Sequence, residues 1–133
     1  MIARYRAWHK TWEELEKVKR IRFDDEGDVT TVLFEGKILG VDTHADKIVL
    51  MQSTGLVDKN GKEIFEGDIL AFETNDEVIN VNVFWDEEHA LFMFESKKYN
   101  EQEPLVELVE NNTYPFEIIG NIFEKPELLE AIK

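Results

Sequence analysis

Turn signals recur along this chain of 133 residues at spacings too short for long helices. Asp24-Asp25-Glu26-Gly27-Asp28, Asp58-Lys59-Asn60-Gly61, Glu66-Gly67-Asp68 and Asp86-Glu87-Glu88-His89 are each built from residues that tolerate tight backbone bends. At Asn60-Gly61 the dipeptide is expected to supply positive φ at two successive positions. Between the turns the side chains follow the period of strands. Ala3, Tyr5 and Ala7 fall on one face of Ile2–Trp8, with Ile2, Arg4, Arg6 and Trp8 on the other. Ile21 and Phe23 alternate, and Val29–Glu35 is β-branched and aromatic. Ile48–Met51 is a compact apolar run, as are Ile38–Leu39 between two glycines and Ile69–Phe72. Val78–Trp85 sets Val81, Val83 and Trp85 against Asn80, Asn82 and Phe84, and Ala90–Phe94 returns from the hairpin. Phe116–Phe123 is a further strand, interrupted at Gly120-Asn121. The fold class is mainly β (α+β).

Four segments read differently. Thr11 and Glu14 form a capping-box pattern, and Glu13–Lys17 and Glu16–Arg20 stand at i,i+4. A short helix is therefore expected over Trp12–Lys19, with Trp12, Leu15 and Lys19 inward. Lys97–Glu103 reads as a polar loop. Leu105–Val109 has helical spacing but is too short to decide. Pro126, followed by Leu128, Leu129 and Ile132, reads as a short C-terminal helix.

Composition excludes several chemistries. There is no cysteine, so disulfides, thiol nucleophiles and cysteine-based zinc sites are ruled out. No apolar run approaches the roughly 20 residues of a membrane-spanning helix. The opening residues lack the apolar core of a signal peptide, and a soluble, cytoplasmic protein without a membrane partner is expected. Ser53 and Ser96 are the only serines, and neither sits in a Gly-x-Ser-x-Gly elbow. Phosphate-cradling glycine loops are absent. Asp42-Thr43-His44-Ala45-Asp46, if extended, would place three polar side chains on one face and could hold a cation, but the run also reads as a solvated turn. Asp24–Asp28 and Asp58–Gly61 lack the spacing of a calcium loop. Carboxylate pairs such as Glu66 with Asp68 arise readily in a chain with 29 acids. No catalytic residue, cofactor or metal is assigned from the residues.

Charge is uneven. The net charge is −14, yet residues 1–22 carry seven basic and three acidic side chains. A basic first element can pack on an acidic body. Arg4, Arg6 and Trp8, on one strand face, could also contact phosphate and stack on bases. The acidic clusters could in turn imitate a phosphate backbone.

The stretch MQSTGLVDKNGKEIFEGDIL (Met51–Leu70) resembles the central signature of the YopX family, small proteins of bacteriophages and prophages. Arg6-Ala7-Trp8 is similar to that family's opening, and Glu117–Glu124 followed by Pro126-Glu127-Leu128-Leu129 to its closing. Two departures stand out: Ser53 where the resemblance implies an aromatic, and His9 where it implies an aspartate. The resemblance implies an N-terminal strand and short-helix portion packed on a small SH3-like barrel or sandwich, ending in a short helix. It implies one domain over 1–133, with an N-terminal subdomain of about 1–50 and a barrel-like portion of about 51–133. It carries over no activity and no catalytic residues.

Three functions fit. The first is a non-enzymatic phage accessory protein that self-associates and binds a host or phage protein. The second is nucleic-acid association, by binding or by mimicry. The third is a divalent-metal hydrolase using carboxylates and His44. The expected binding surface comprises Arg4, Arg6 and Trp8, together with a loop Gln52, Ser53, Thr54 and the turn residues Asp58 and Asn60.

Overall fold

The computed structural model describes residues 4–36, 42–111 and 115–129. The chain divides into two compact units, Met1–Ser53 and Thr54–Lys133. No helix among the described residues is long and apolar enough to cross a membrane.

The first unit is an antiparallel sheet. Its strands are β1 (Tyr5–His9), β2 (Glu14–Phe23), β3 (Val29–Phe34), β4 (Asp42–His44) and the first part of β5 (Ile48–Val57). They lie in the order β4-β3-β2-β1-β5. Ala7 lies opposite Leu50, His9 opposite Ile48, and Val32 opposite Thr43. Pairing of this kind puts directly opposed side chains on one face. That face builds a core of Ala7, Val32, Phe34 and Ile48, with Val18, Ile21, Val29 and Leu50 packed against it. The stretch Ile38–Leu39 lies outside the described residues.

The helix expected over Trp12–Lys19 does not form; most of that segment belongs to β2. Lys10–Glu13 is instead the turn of a hairpin, closed by the Glu13 amide donating to the His9 carbonyl at 2.8 Å. Glu13 takes the left-handed conformation, φ 51°. The reason is non-local. Each i,i+4 ion pair stabilises a helix by only about 0.2–0.5 kcal/mol, and so short a helix is marginal alone. As a strand, Glu14–Lys17 pairs with β1 and the residues from Val18 on pair with β3.

The second unit holds β6 (Glu63–Phe65), which pairs with the end of β5, and a five-stranded antiparallel sheet. The sheet order is β10-β9-β8-β7-β11, formed by β7 (Asp68–Glu73), β8 (Val78–Asp86), β9 (Leu91–Ser96), β10 (Glu101–Pro104) and β11 (Phe116–Asn121). This sheet stays open, so the barrel alternative is not what forms. One face carries Leu70, Val81, Val83, Phe94 and Phe116, covered by Ile64 and by Leu105 of α1 (Leu105–Asn111). The Leu105–Val109 ambiguity thus resolves to a helix, because Leu105, Leu108 and Val109 all reach this core.

Two local expectations are corrected, and a third is met. Glu101–Glu103, read as the end of a polar loop, belongs to an edge strand, β10. An edge strand needs pairing on one side only, so polar residues suit it. The short C-terminal helix is present as a 3-10 turn, Pro126–Leu129, and the rest of that expectation, Ile132 included, lies outside the described residues. The 3-10 turn packs where Gly120 leaves room: a Cβ there would lie 3.2 Å from Leu128 Cδ1. The Asn80 amide nitrogen also donates to the Leu128 carbonyl at 2.9 Å. Finally, at Asn60-Gly61 only Gly61 has positive φ, 78°. The turn is shaped by Asp58 instead.

Asp58 is 6% exposed and both its carboxylate oxygens are engaged. Oδ1 accepts from the amides of Asn60 and Lys62, each at 2.9 Å. Oδ2 accepts from the Ile118 amide at 3.0 Å, 60 residues further along the chain. The Lys59 amide donates to the Phe116 carbonyl at 3.1 Å beside it. Burial pushes the Asp58 carboxyl up, but the three amides and the Lys62 charge outweigh it and hold the group below its ordinary 3.8. Asp58→Asn keeps one acceptor oxygen and turns an N–H toward an amide. Urea denaturation should show it less stable by about 2 kcal/mol at neutral pH. Because the folded-state value is depressed, the carboxylate's contribution is present above the ordinary value and is lost as pH falls through the lowered one. The gap between wild type and variant should therefore narrow below pH 3.8.

Candidate functional site

The β1–β2 turn builds a site from local chemistry. The Trp12 backbone amide donates to His9 Nδ1 at 3.0 Å. The two rings stack at 4.6 Å between centroids and 16° between planes. His9 is only 6% exposed, whereas Trp12 is 55% exposed. A backbone amide can only donate, so Nδ1 carries the lone pair and Nε2 carries the proton. One face of the indole rests on His9, and the rest of the ring stands in solvent.

The facing wall is β4 and the 3-10 turn after it, Ala45–Lys47. The Lys10 amide donates to the Lys47 carbonyl at 2.9 Å, and Lys10 Nζ to the Asp46 carbonyl at 3.2 Å. These bonds tie the wall to the turn. Between them opens a cleft of about 320 Å³ lined by His9, Thr11, Trp12, Asp42, Thr43, His44 and Lys47. Thr43 is buried, while Asp42 and His44 on either side of it are exposed, as strand alternation requires.

The cation site considered at Asp42–Asp46 does not assemble. Arg20 Nη2 reaches both Asp42 oxygens, at 3.1 and 3.2 Å. Among the described residues a single cluster could offer three metal ligands, Asp86, Glu88 and His89 in the β8–β9 turn. Asp86 is engaged there as a hairpin cap: Oδ1 accepts from the Glu88 amide at 3.0 Å and Oδ2 lies 2.7 Å from His89 Nδ1. The His89 bond holds the Asp86 carboxyl below its ordinary value against the opposing effect of burial. Elsewhere Glu77 accepts from Lys98 and from the Tyr99 hydroxyl, which lowers Glu77 and raises both partners.

The residues expected to bind fall in different environments. Arg4 is exposed at the start of β1. Arg6 and Trp8 are half-buried in β1, with Arg6 opposite Lys17. Gln52, Ser53 and Thr54 are not a loop but lie within β5. The reason is again pairing: Gln52 sits opposite Tyr5, and the Ser53 amide donates to the Arg4 carbonyl at 2.7 Å. Ser53 and Thr54 are buried, and the Thr54 hydroxyl donates to the Ile64 carbonyl at 2.8 Å. Asn60 is exposed in the turn that Asp58 holds. His9, Trp12, Thr43 and Lys47 escaped sequence reading as a group. The available signal was His9 itself, at a position where an aspartate was expected. Its Nδ1 accepts the amide three residues on, as a carboxylate oxygen would.

Fold and turn geometry define a small mainly-β protein with two sheets. Residues 4–130 match the family described as YopX protein, and the chain belongs to that family. It is similar to the crystal structure of protein EF1440 from Enterococcus faecalis, with 30% identity and a TM-score of 0.74. That likeness covers 98% of this chain and 99% of the other. It is also similar in fold to protein yopX from Bacillus subtilis, with 19% identity and a TM-score of 0.67, over 96% of this chain and 98% of that one. No curated protein matches.

His9→Ala removes both the acceptor for the Trp12 amide and the ring beneath the indole. Hydrogen exchange at the Trp12 amide should accelerate, with about 1–2 kcal/mol lost from overall stability.

Proposed function

We propose that the protein is a non-enzymatic phage or prophage accessory protein that works by protein–protein contact, associating with itself and docking on a host or phage protein. Charge segregation is the observation that carries this reading. Thr54–Lys133 contains 19 acidic and six basic residues, whereas Met1–Ser53 contains ten and nine. The second unit thus presents a strongly negative surface, in which Val78, Trp85, Tyr99 and Val106 stand 39–55% exposed. Exposed aromatic side chains are common anchors of protein interfaces.

The strand edges favour contact through side chains rather than through added strands. β10 carries Glu101 and Glu103, β11 is interrupted by a bulge between Ile118 and Gly120, and β4 is only three residues long. Each is a device that blunts edge pairing. Nucleic-acid contact keeps one specific support: Lys17, Lys19 and Arg22 are exposed along β2.

Salt distinguishes the modes. Docking on a basic partner should weaken as ionic strength rises, because screening removes the attraction. Self-association of acidic units should strengthen, because screening removes the repulsion. Sedimentation from low to high salt, beside capture from host lysate with and without nuclease, tests both. A monomer at every salt concentration with no nuclease-resistant partner would overturn the reading. Capture that vanishes with nuclease would favour nucleic acid.

A further inference from the structure

We propose that the β1–β2 turn is a pH-sensitive latch, closed while His9 is neutral and released when its ring takes up a proton. This inference is independent of the protein-contact reading above and concerns a different unit of the chain.

The latch is one hydrogen bond. The Trp12 amide donates to His9 Nδ1 at 3.0 Å, three residues back along the chain. Nε2 carries a proton in both charge states, so its hydrogen-bonding role does not change. A second proton can go only to Nδ1, the atom that the Trp12 N–H already faces. Two donors then meet, and neither has an acceptor. His9 is 6% exposed, so water has little room to replace the lost acceptor. The indole can stay beside a charged imidazole, because a cation is attracted to its face. The backbone of the turn therefore takes the strain, rather than the stack. Glu13 already holds a left-handed φ of 51° there, a costly conformation for a residue with a side chain.

Other turns of this chain close on acceptors that keep their lone pairs. Asp58 Oδ1 accepts from the Asn60 amide, Asp86 Oδ1 from the Glu88 amide and Thr74 Oγ1 from the Glu77 amide. Asn121 Oδ1 accepts from the Glu124 amide at 2.9 Å, at the same spacing of three residues as His9 and Trp12. Hydroxyl and amide oxygens do not titrate, and a carboxylate stays an acceptor until strongly acid pH. An imidazole changes state between about pH 5 and 8. His9 thus closes its turn with an acceptor that a modest fall in pH removes.

Charges around the ring pull both ways. Glu14 lies opposite His9 across β1–β2 and favours the cation. Lys10 adjoins His9 and Lys47 shares its cleft, and both oppose the cation. Asp42 also lines the cleft, where Arg20 engages it, and so does His44. From β5 and β3 the ring meets Ile48 and Phe34, which carry no charge. None of these groups alters which nitrogen must take the proton.

The test is hydrogen exchange of the full chain, with nitrogen-15 spectra of the histidine rings, from about pH 8 to about pH 4.5. Protection of the Trp12 amide, taken relative to its unstructured rate at each pH, should fall about tenfold or more as His9 protonates. Amides in the middle of β3 should keep theirs. His9→Asn supplies an acceptor that does not titrate, as Asn121 does, and should remove the step. The comparison within wild type does not depend on that variant folding. His44→Gln should leave the step in place. A Trp12 amide equally protected with His9 neutral and charged would overturn the proposal. So would a step that persists in His9→Asn, or a loss shared by the whole first unit, which is acid unfolding rather than release of a latch. A His9 ring that stays neutral down to the lowest pH would overturn it as well.

Discussion

A buried carboxylate with both oxygens committed is the constraint on which the second unit depends. Asp58 closes its own turn through the amides of Asn60 and Lys62 and at the same time fixes the backbone of β11 at Ile118. Hairpin turns usually set only the register of the two strands they join. This one also holds a strand that arrives 60 residues later. The neighbouring turn works in the same way. Gly67, at φ 85°, donates to the Val83 carbonyl and accepts from the Ile122 amide. Glycine is suited to that position because a side chain is strained there. Two short turns therefore tie β6, β7, β8 and β11 together through hydrogen bonds to backbone groups.

The first unit is organised by strand pairing instead. β1 lies between β2 and β5 and is paired on both sides, and β2 pairs with β1 through Glu14–Lys17 and with β3 from Val18 on. The residues that turn the chain from β1 to β2 are then free for other work. A histidine at the end of β1 is buried by the register that places it opposite Ile48. Burial fixes its ring, the ring fixes the Trp12 amide, and the tryptophan is held out over a cleft. An exposed aromatic in an ordinary loop would sample many rotamers, and here the stack on His9 restricts that freedom.

Much of the fold was legible in local pattern. Alternation in Val78–Trp85 correctly separates buried Val81 and Val83 from the opposite face. Glycines at 27, 61 and 67 fall at turns with positive φ. The central stretch Met51–Leu70 carries the family resemblance that residues 4–130 confirm. The errors share one cause. Trp12–Lys19 has every local mark of a helix, and those marks are worth a few tenths of a kcal/mol each. Pairing with two strands outweighs them. Gln52–Thr54 looks like a polar break in sequence, but Tyr5, Arg4 and Ile64 supply backbone partners that hold it extended.

The sequence by itself determined the mainly-β class, the glycine-bearing turns at 27, 61 and 67 and the family. Those properties rest on side-chain period and on backbone conformations that few residue types adopt, and both are written within a few neighbouring positions. Tertiary structure alone decided that the second oxygen of Asp58 meets Ile118, that His9 faces Ile48 and carries Trp12, and that Lys10 closes on Lys47. Each joins a residue to a site whose nearness depends on register between strands. No pattern within either segment records that register, because hydrogen bonds across a sheet are made by backbone groups common to every residue except proline.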